Sequence, residues 1–275
     1  MPTRIHSVKR SVEVVLAVAQ LPARQRTASA VARLVNAPLP TVSHTLSTLV
    51  DSGLLAKDEA RCYQIGPAAT PLAEALHRQT EVPASLLCPL RSLAETTGES
   101  VYYSTWRLGR IAILASIEGT SAVHVSALVP GYADDAHARA SGKLLLAYCA
   151  PEVVDAYLSY YPLRRVTTHT IVDPVTFGLE LESIRGQQFA EERGELVEDV
   201  ACVAVPVTYF GASVGAYTAA IPLHRFEHSR DAVLEALQSA ACAVRASPPR
   251  NPIGASSGSA MHIRAGQPPK AYGRV

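Results

Sequence analysis

Residues 27–55, TASAVARLVNAPLPTVSHTLSTLVDSGLL, constrain this chain most. Val42, Leu46, Leu49 and Val50 fall at i, i+4, i+7 and i+8, the apolar stripe of an amphipathic helix. At about 100° per residue the opposite side carries Pro40, His44 and Ser47, flanked by Thr41 and Ser43, so the outer face is small, polar and short of charge. Upstream, Ala28, Val31, Ala32 and Val35 make a shorter apolar face. Asn36-Ala37-Pro38 breaks it, because the residue before a proline is pushed out of the α region. A short helix, a tight turn and a second helix with a small polar surface describe a helix-turn-helix whose second helix suits a DNA major groove. The same spacing also occurs in helical domains that never meet nucleic acid, so further signals must decide.

Charge is the first of these. The formal net charge of the 275 residues is only +1, but it is unevenly distributed. Residues 1–66 carry 8 Lys and Arg against 4 acids, residues 67–246 carry 13 against 20, and residues 247–275 carry 4 against none. The basic excess sits on the helix-turn-helix segment, where phosphate contacts need it, although a solvated basic surface would look the same. Between residues 41 and 52 there is no Lys or Arg, so affinity would have to come from Arg4, Lys9, Arg10, Arg33, Lys57 and Arg61. Leu39-Pro40 occupies the place of a capping Ser or Thr, which predicts a proline at the first helical position without a side-chain cap.

An apolar fraction of 48% over this length allows two domains with sizeable cores. No run approaches the ~20 apolar residues of a membrane span and no leader pattern is present, so a cytoplasmic location is expected. The five cysteines (62, 88, 149, 202 and 242) are odd in number and never spaced C-x-x-C, which indicates neither a disulfide framework nor a zinc site. No cofactor fingerprint occurs, and no cofactor or metal is expected.

Along the chain, a first helix is predicted over 11–20, with Ser11 as N-cap and Val12, Val15, Leu16 and Ala19 at helical spacing. After the helix-turn-helix, strands at 54–56 and 63–65 flank a turn bearing Lys57 and Arg61, a wing that can reach phosphates if Asp58 and Glu59 point away. Residues 68–78 form an apolar-periodic connector with Pro71 in its first turn. A helix over 83–97 ends at Gly98, with Pro89 predicting a kink or late start. Strands follow at 101–106, 110–117 and 122–129, then a polar loop at 131–139 and helices at 140–149, 151–161 and 174–187. Strands at 189–192, 202–208 and 213–220 and a helix over 230–245 complete an α+β second domain. Residues 247–275, rich in Pro, Gly and Ser, are expected to be a disordered tail.

At this level the chain resembles the isocitrate lyase regulator (IclR) family of bacterial transcription regulators over residues of about 10–246. SVEVVLAVAQ is similar to that family's opening helix, PLPTVSHTLSTLVDSGLL to its helix-turn-helix and wing start, and RASGKLLLAY with THTIVDP to two stretches of its effector domain. The most specific match is FAEERGELVEDVACVAVPV, an acidic signature running into Cys-x-Ala-x-Pro-Val. The resemblance implies a winged helix-turn-helix over 1–66, a connector helix over 67–82 and a GAF-like α/β effector-binding domain over 83–246. It also implies dimers or tetramers on pseudopalindromic double-stranded operators, controlled by a small-molecule effector. Carried over residue by residue, the family's effector positions fall on Ser141, Gly142, Glu192, Cys202, Thr218 and Ala220. Ala220 replaces a serine, and Asp199 stands where a glycine usually precedes the cysteine by three.

Physical chemistry gives these positions roles of its own. Backbone N–H groups at the Ser141-Gly142 helix start can hold a carboxylate, which points to a small organic acid; alternatively, Ser141 only caps the helix. Fewer hydroxyls, with Tyr102, Tyr103 and Tyr217 nearby, suit a ligand with an apolar or aromatic body. The DNA-contacting set is Arg33, Thr41, Ser43, His44, Ser47, Lys57 and Arg61. The reading is thus a ligand-responsive, sequence-specific transcription regulator of a catabolic or related operon, and not an enzyme. The alternatives are a cysteine enzyme or redox sensor built on Cys202, whose apolar setting argues for an inert thiol, and a ligand-binding protein that has lost DNA binding.

Overall fold

The computed structural model describes residues 5–246 apart from 127, 129, 210 and 211, and these divide into two compact units meeting in sequence at residue 80. The expected tail over 247–275 and Arg4 lie outside the described residues.

In the first unit the apolar stripes converge on one core. Helices α1 (His6–Gln20), α2 (Ala28–Leu34) and α3 (Leu39–Asp51) pack Val14, Ala17, Val18, Val31, Ala32, Val42, Leu46 and Leu49 together, and the strands β1 (Leu55–Lys57) and β2 (Tyr63–Ile65) add Leu55 and Tyr63. Thr27 caps α2 by accepting a hydrogen bond from the Ala30 amide (3.3 Å), and Asn36 turns the chain at φ +49°. Helix α3 starts at Leu39, one residue before Pro40, without a side-chain cap. The wing strands are antiparallel, with Leu55 opposite Ile65 and Lys57 opposite Tyr63.

Helix α1 departs from expectation. It begins at His6, and the Ser11 hydroxyl donates back to the Ser7 carbonyl (3.0 Å) instead of capping. The buried stripe is Val14, Ala17 and Val18, whereas Val12 is 53% exposed. Residues 12–19 are apolar nearly all round, so spacing alone cannot select the stripe. Helix α4 (Thr70–Thr80) holds Pro71 in its first turn, and its Leu72 and Leu76 are exposed.

The second unit is a six-stranded, wholly antiparallel sheet ordered β5-β4-β3-β8-β7-β6. Its strands are β3 (Ser100–Arg107), β4 (Arg110–Ile117), β5 (Gly131–Ala133), β6 (Ala190–Arg193), β7 (Val200–Tyr209) and β8 (Ala212–Pro222). Helices α5 (Ala84–Thr97) and α9 (Leu223–Ala246) cover one face with Leu86, Leu90, Leu93, Phe226, Val233 and Leu237, packed on Tyr103 and Tyr217. Helices α6 (Ala140–Ala147), α7 (Pro151–Tyr160) and α8 (Pro174–Gln187) cover the other with Leu144, Leu146, Phe177, Leu181 and Ile184. Helix α5 runs through Pro89 and closes at Gly98, φ +70°. No described helix is long and apolar enough to cross a membrane.

Four expectations need correction here. The stretch 122–129 contains no strand among its described residues. Side chains hold it instead: the Ser100 hydroxyl bonds the Val125 carbonyl, and the Leu128 amide donates to the Ser116 hydroxyl (3.0 Å). The sheet edge is taken by β5, inside the segment expected to be only a loop. Helix α9 begins at Leu223 rather than 230, and Arg225 in its first turn makes a two-pronged ion pair with buried Glu99 (3.0 and 2.7 Å). Helix α6 stops at Ala147, two residues short.

Leu46, fully buried between the three N-terminal helices, anchors α3. Leu46→Ala is expected to lower the protection of the α3 amides in native-state hydrogen exchange by about 2–5 kcal/mol, the range for a deleted core leucine. Unchanged protection would show that α3 is held by other contacts.

Candidate functional site

The outer face of α3 presents Thr41, His44 and Ser47 exposed, with Ser43 half-buried, and none of these four side chains is hydrogen-bonded within the described protein. Their neighbours Thr45 and Thr48 fold back, donating to the carbonyls of Thr41 and His44 (both 3.0 Å). The free donors and acceptors therefore lie along one line of the helix. Arg33 is exposed with no acidic partner within the first unit, and Arg61 projects from the wing turn at φ +63°. Lys57 lies over the Tyr63 ring, 5.1 Å from its centre. The Asp58 carboxylate accepts from the Cys62 amide (2.7 Å), which occupies it within the turn. Lys9 and Arg10 share Glu13 (3.7 Å each), so they offer less charge to a polyanion than a count suggests.

A second group is buried under the start of α6. Strand register sets Tyr102 beside Thr218, Ala220 beside Cys202 and Cys202 beside Glu192. Because alternate residues of a strand face the same way, these side chains form a row across β3, β8, β7 and β6 on the α6 side. Ser141 and Thr218 are completely buried, and neither hydroxyl has a hydrogen-bond partner of good geometry. Such orphans are rare in protein interiors and call for an explanation. Burial pushes the Tyr102 phenol well above its usual range, with the neighbouring thiol adding to the rise and Arg139 and Ser141 opposing it.

Glu192, 1% exposed, accepts a hydrogen bond from the Glu195 amide (2.9 Å). Burial raises its pKa to about 7, against the lowering effect of its hydrogen bonds with Cys202 and that amide. Burial, then the charge of Glu192, pushes the Cys202 thiol far up, which keeps it protonated and a poor nucleophile.

The candidate effector residues are thus brought together, with two exceptions. A Cβ on Gly142 would stand 2.1 Å from the Ala136 carbonyl oxygen, so its open side is filled by the 3-10 turn Ala136–Ala138, and its role there is close packing. Tyr103 and Tyr217 stack edge to face with each other on the opposite side of the sheet, in the core with α5 and α9, because one residue along a strand reverses the face.

Two charged residues escaped the sequence reading. Lys143, 1% exposed, is clasped by Glu195 (2.6 Å) and Glu180 (2.9 Å). Arg139, 7% exposed, precedes α6 and donates through Nε to the Asp134 carbonyl (2.9 Å). Periodicity could not find either, since the partners of Lys143 lie 37 and 52 residues away.

A family model described as the C-terminal domain of bacterial IclR transcriptional regulators matches residues 74–246, and one for the IclR helix-turn-helix domain matches residues 7–59. The HTH-type transcriptional regulator KdgR of Dickeya chrysanthemi is 26% identical over 188 residues, 68% of this chain and 61% of that protein's length. Two solved structures share the fold. An IclR transcriptional regulator of a Silicibacter species aligns at a TM-score of 0.68 and 26% identity, covering 87% of this chain and 95% of that one. An IclR homologue of Microbacterium hydrocarbonoxydans, complexed with 4-hydroxybenzoate, aligns at 0.70 and 23%, covering 87% and 98%.

Glu192 also makes stability depend on pH. Its folded pKa, about 7, exceeds the ~4.3 of an unfolded glutamate, so folding favours the protonated acid. That contribution is complete below pH ~4 and is lost as pH rises through about 7. Glu192→Gln is expected to flatten the decline between pH 5 and 8 by on the order of 2–3 kcal/mol. Urea unfolding followed by the fluorescence of Trp106, the single tryptophan, reports on this unit. Parallel pH profiles for the two proteins would refute the assignment.

Proposed function

Because the chain belongs to the IclR family of bacterial transcriptional regulators, we propose that its sheet domain binds a small organic or aromatic acid beneath α6 and that binding changes its hold on an operator. The observation that carries this reading is the row of buried polar groups in which neither the Ser141 nor the Thr218 hydroxyl has a hydrogen-bond partner of good geometry among the described residues. A protein leaves groups desolvated in this way at a cost of about 1–3 kcal/mol each, and a ligand that bonds both recovers it. The low floor made by Ala216 and Ala220, next to Tyr102, suits a flat apolar body. The Microbacterium homologue with bound 4-hydroxybenzoate supports the same class of ligand.

On the DNA side, α3 enters the major groove with Thr41, His44 and Ser47, flanked by Ser43, while Arg33, Lys57 and Arg61 meet phosphates. Free polar groups in line on α3 favour this over a domain that has abandoned DNA. The chain acts as a dimer or tetramer on a two-fold operator, because one uncharged helix supplies too few contacts for tight binding. It works in the cytoplasm as a regulator rather than an enzyme, and the high pKa of Cys202 removes the best candidate nucleophile.

Two measurements test this reading. In gel-shift titrations on the upstream intergenic DNA, His44→Ala is expected to weaken specific binding by about 1–3 kcal/mol, whereas Arg33→Ala weakens all sequences and flattens the salt dependence. Equal losses on operator and random DNA for His44→Ala would remove α3 from the role. In a thermal-shift screen of organic and aromatic acids, a true effector at a hundredfold its Kd stabilises by about 2.7 kcal/mol, several degrees in melting temperature. A screen in which no acid moves the transition would remove the effector reading.

A further inference from the structure

Five charged side chains are buried in the second unit among the described residues, and four of them are compensated. Glu99 is paired with Arg225, Lys143 and Glu195 with each other, and Glu192 receives hydrogen bonds from an amide and a thiol. Arg139 is the exception. It is 7% exposed, and among the described residues no carboxylate lies within 4 Å of it and only its Nε is hydrogen-bonded. Both terminal nitrogens of the guanidinium, carrying four N–H donors, have no hydrogen-bond partner among the described residues. A largely buried guanidinium with no carboxylate beside it does not serve stability unless something else balances its charge. Its charge reaches the polar row, since it lowers both the Tyr102 phenol and the Cys202 thiol. It stands two residues before Ser141, whose hydroxyl has no partner of good geometry, at the start of the helix whose positive end adds to the same field.

We propose that Arg139 is the residue that holds the effector's carboxylate, its two terminal nitrogens making a forked pair with the two oxygens, and that the site is thereby selective for monocarboxylic acids. The proposal rests on the effector reading above and adds the residue that sets ligand class. A guanidinium fork matches a carboxylate in plane and spacing, and Ser141 and Thr218 offer hydroxyls beside it. One unit of positive charge awaits compensation, because Lys143 is already spent on Glu180 and Glu195. A monoanion balances it. A dianion brings a second charge toward the acidic end of the row at Glu192 and Glu195.

The test compares the intact chain with Arg139→Gln and Arg139→Met. Benzoate, 4-hydroxybenzoate, their uncharged amides and terephthalate are titrated calorimetrically into each. The native chain is expected to bind at least one of the two monocarboxylates at least tenfold more tightly than its amide and than terephthalate. Arg139→Gln is expected to lose that acid at least ~30-fold while keeping its circular dichroism and its gel shift on operator DNA. Without any ligand, Arg139→Met is expected to raise the urea midpoint of the Trp106 transition, because an uncompensated charge has been removed.

Undiminished binding of the acid by Arg139→Gln, or an amide that binds the native chain as well as the acid does, overturns the role of Arg139 while the effector site stands. A lower midpoint for Arg139→Met overturns it too, since it marks the guanidinium as a structural prop. Silence of the native chain toward all five compounds overturns the proposal together with the effector reading on which it rests.

Discussion

The buried ammonium of Lys143 organises the sheet domain. Held between Glu195 and Glu180, it ties α6 to α8 and to the loop after β6. That loop is fixed in turn: the Glu195 amide donates to Glu192, and its carbonyl accepts from the hydroxyls of Thr170 and Thr167 (2.7 and 3.2 Å). Removing either charge would strand the other in an apolar interior, so the three elements stay together as a set. The consequence for function is positional. The start of α6 is held over the strand row at a fixed height, and Gly142, pressed against the Ala136 backbone, lets the helix follow its preceding turn without a gap.

Arg139 and Lys143 are one helical turn apart and contrast in everything but sign. One is satisfied by the protein itself; the other has only its Nε bonded among the described residues, beside two hydroxyls without a partner of good geometry. Fold stability explains the first and opposes the second. A domain that tolerates an uncompensated cation and orphaned hydroxyls in its interior is less stable than it would be with apolar residues there, which is the common pattern of a site built for something that comes and goes. Glu192, with a pKa near neutrality, adds an adjustable charge at the far end of the row.

The DNA-binding unit follows a different logic. Its helices are fixed by ordinary apolar packing around Leu46, and in the function proposed above recognition is left to uncharged groups on α3. Such groups discriminate bases but supply little attraction at a distance. On that proposal attraction falls to Arg33, Lys57 and Arg61, since Lys9 and Arg10 are partly neutralised by Glu13 and Asp58 is turned into its own loop.

Local chemistry that repeats along the chain was legible from the sequence alone. The stripe Val42-Leu46-Leu49, the break at Asn36-Ala37-Pro38, the wing, the bounds of α8 and β4 and the end of α5 at Gly98 all follow from spacing and turn residues, because those forces act within a few positions. Which apolar stripe of α1 is buried, where α9 begins and why 122–129 forms no strand among its described residues did not follow, since neighbours distant in sequence decide each. The candidate site divides in the same way. Ser141, Glu192, Cys202 and Thr218 were readable from motifs, but that Tyr103 and Tyr217 face the other core was decided by strand register. Only the tertiary structure distinguished Lys143, paired across 37 and 52 residues, from Arg139, which is left unpaired. A sequence lists charges, but whether a charge has a partner depends on which distant elements the fold brings beside it.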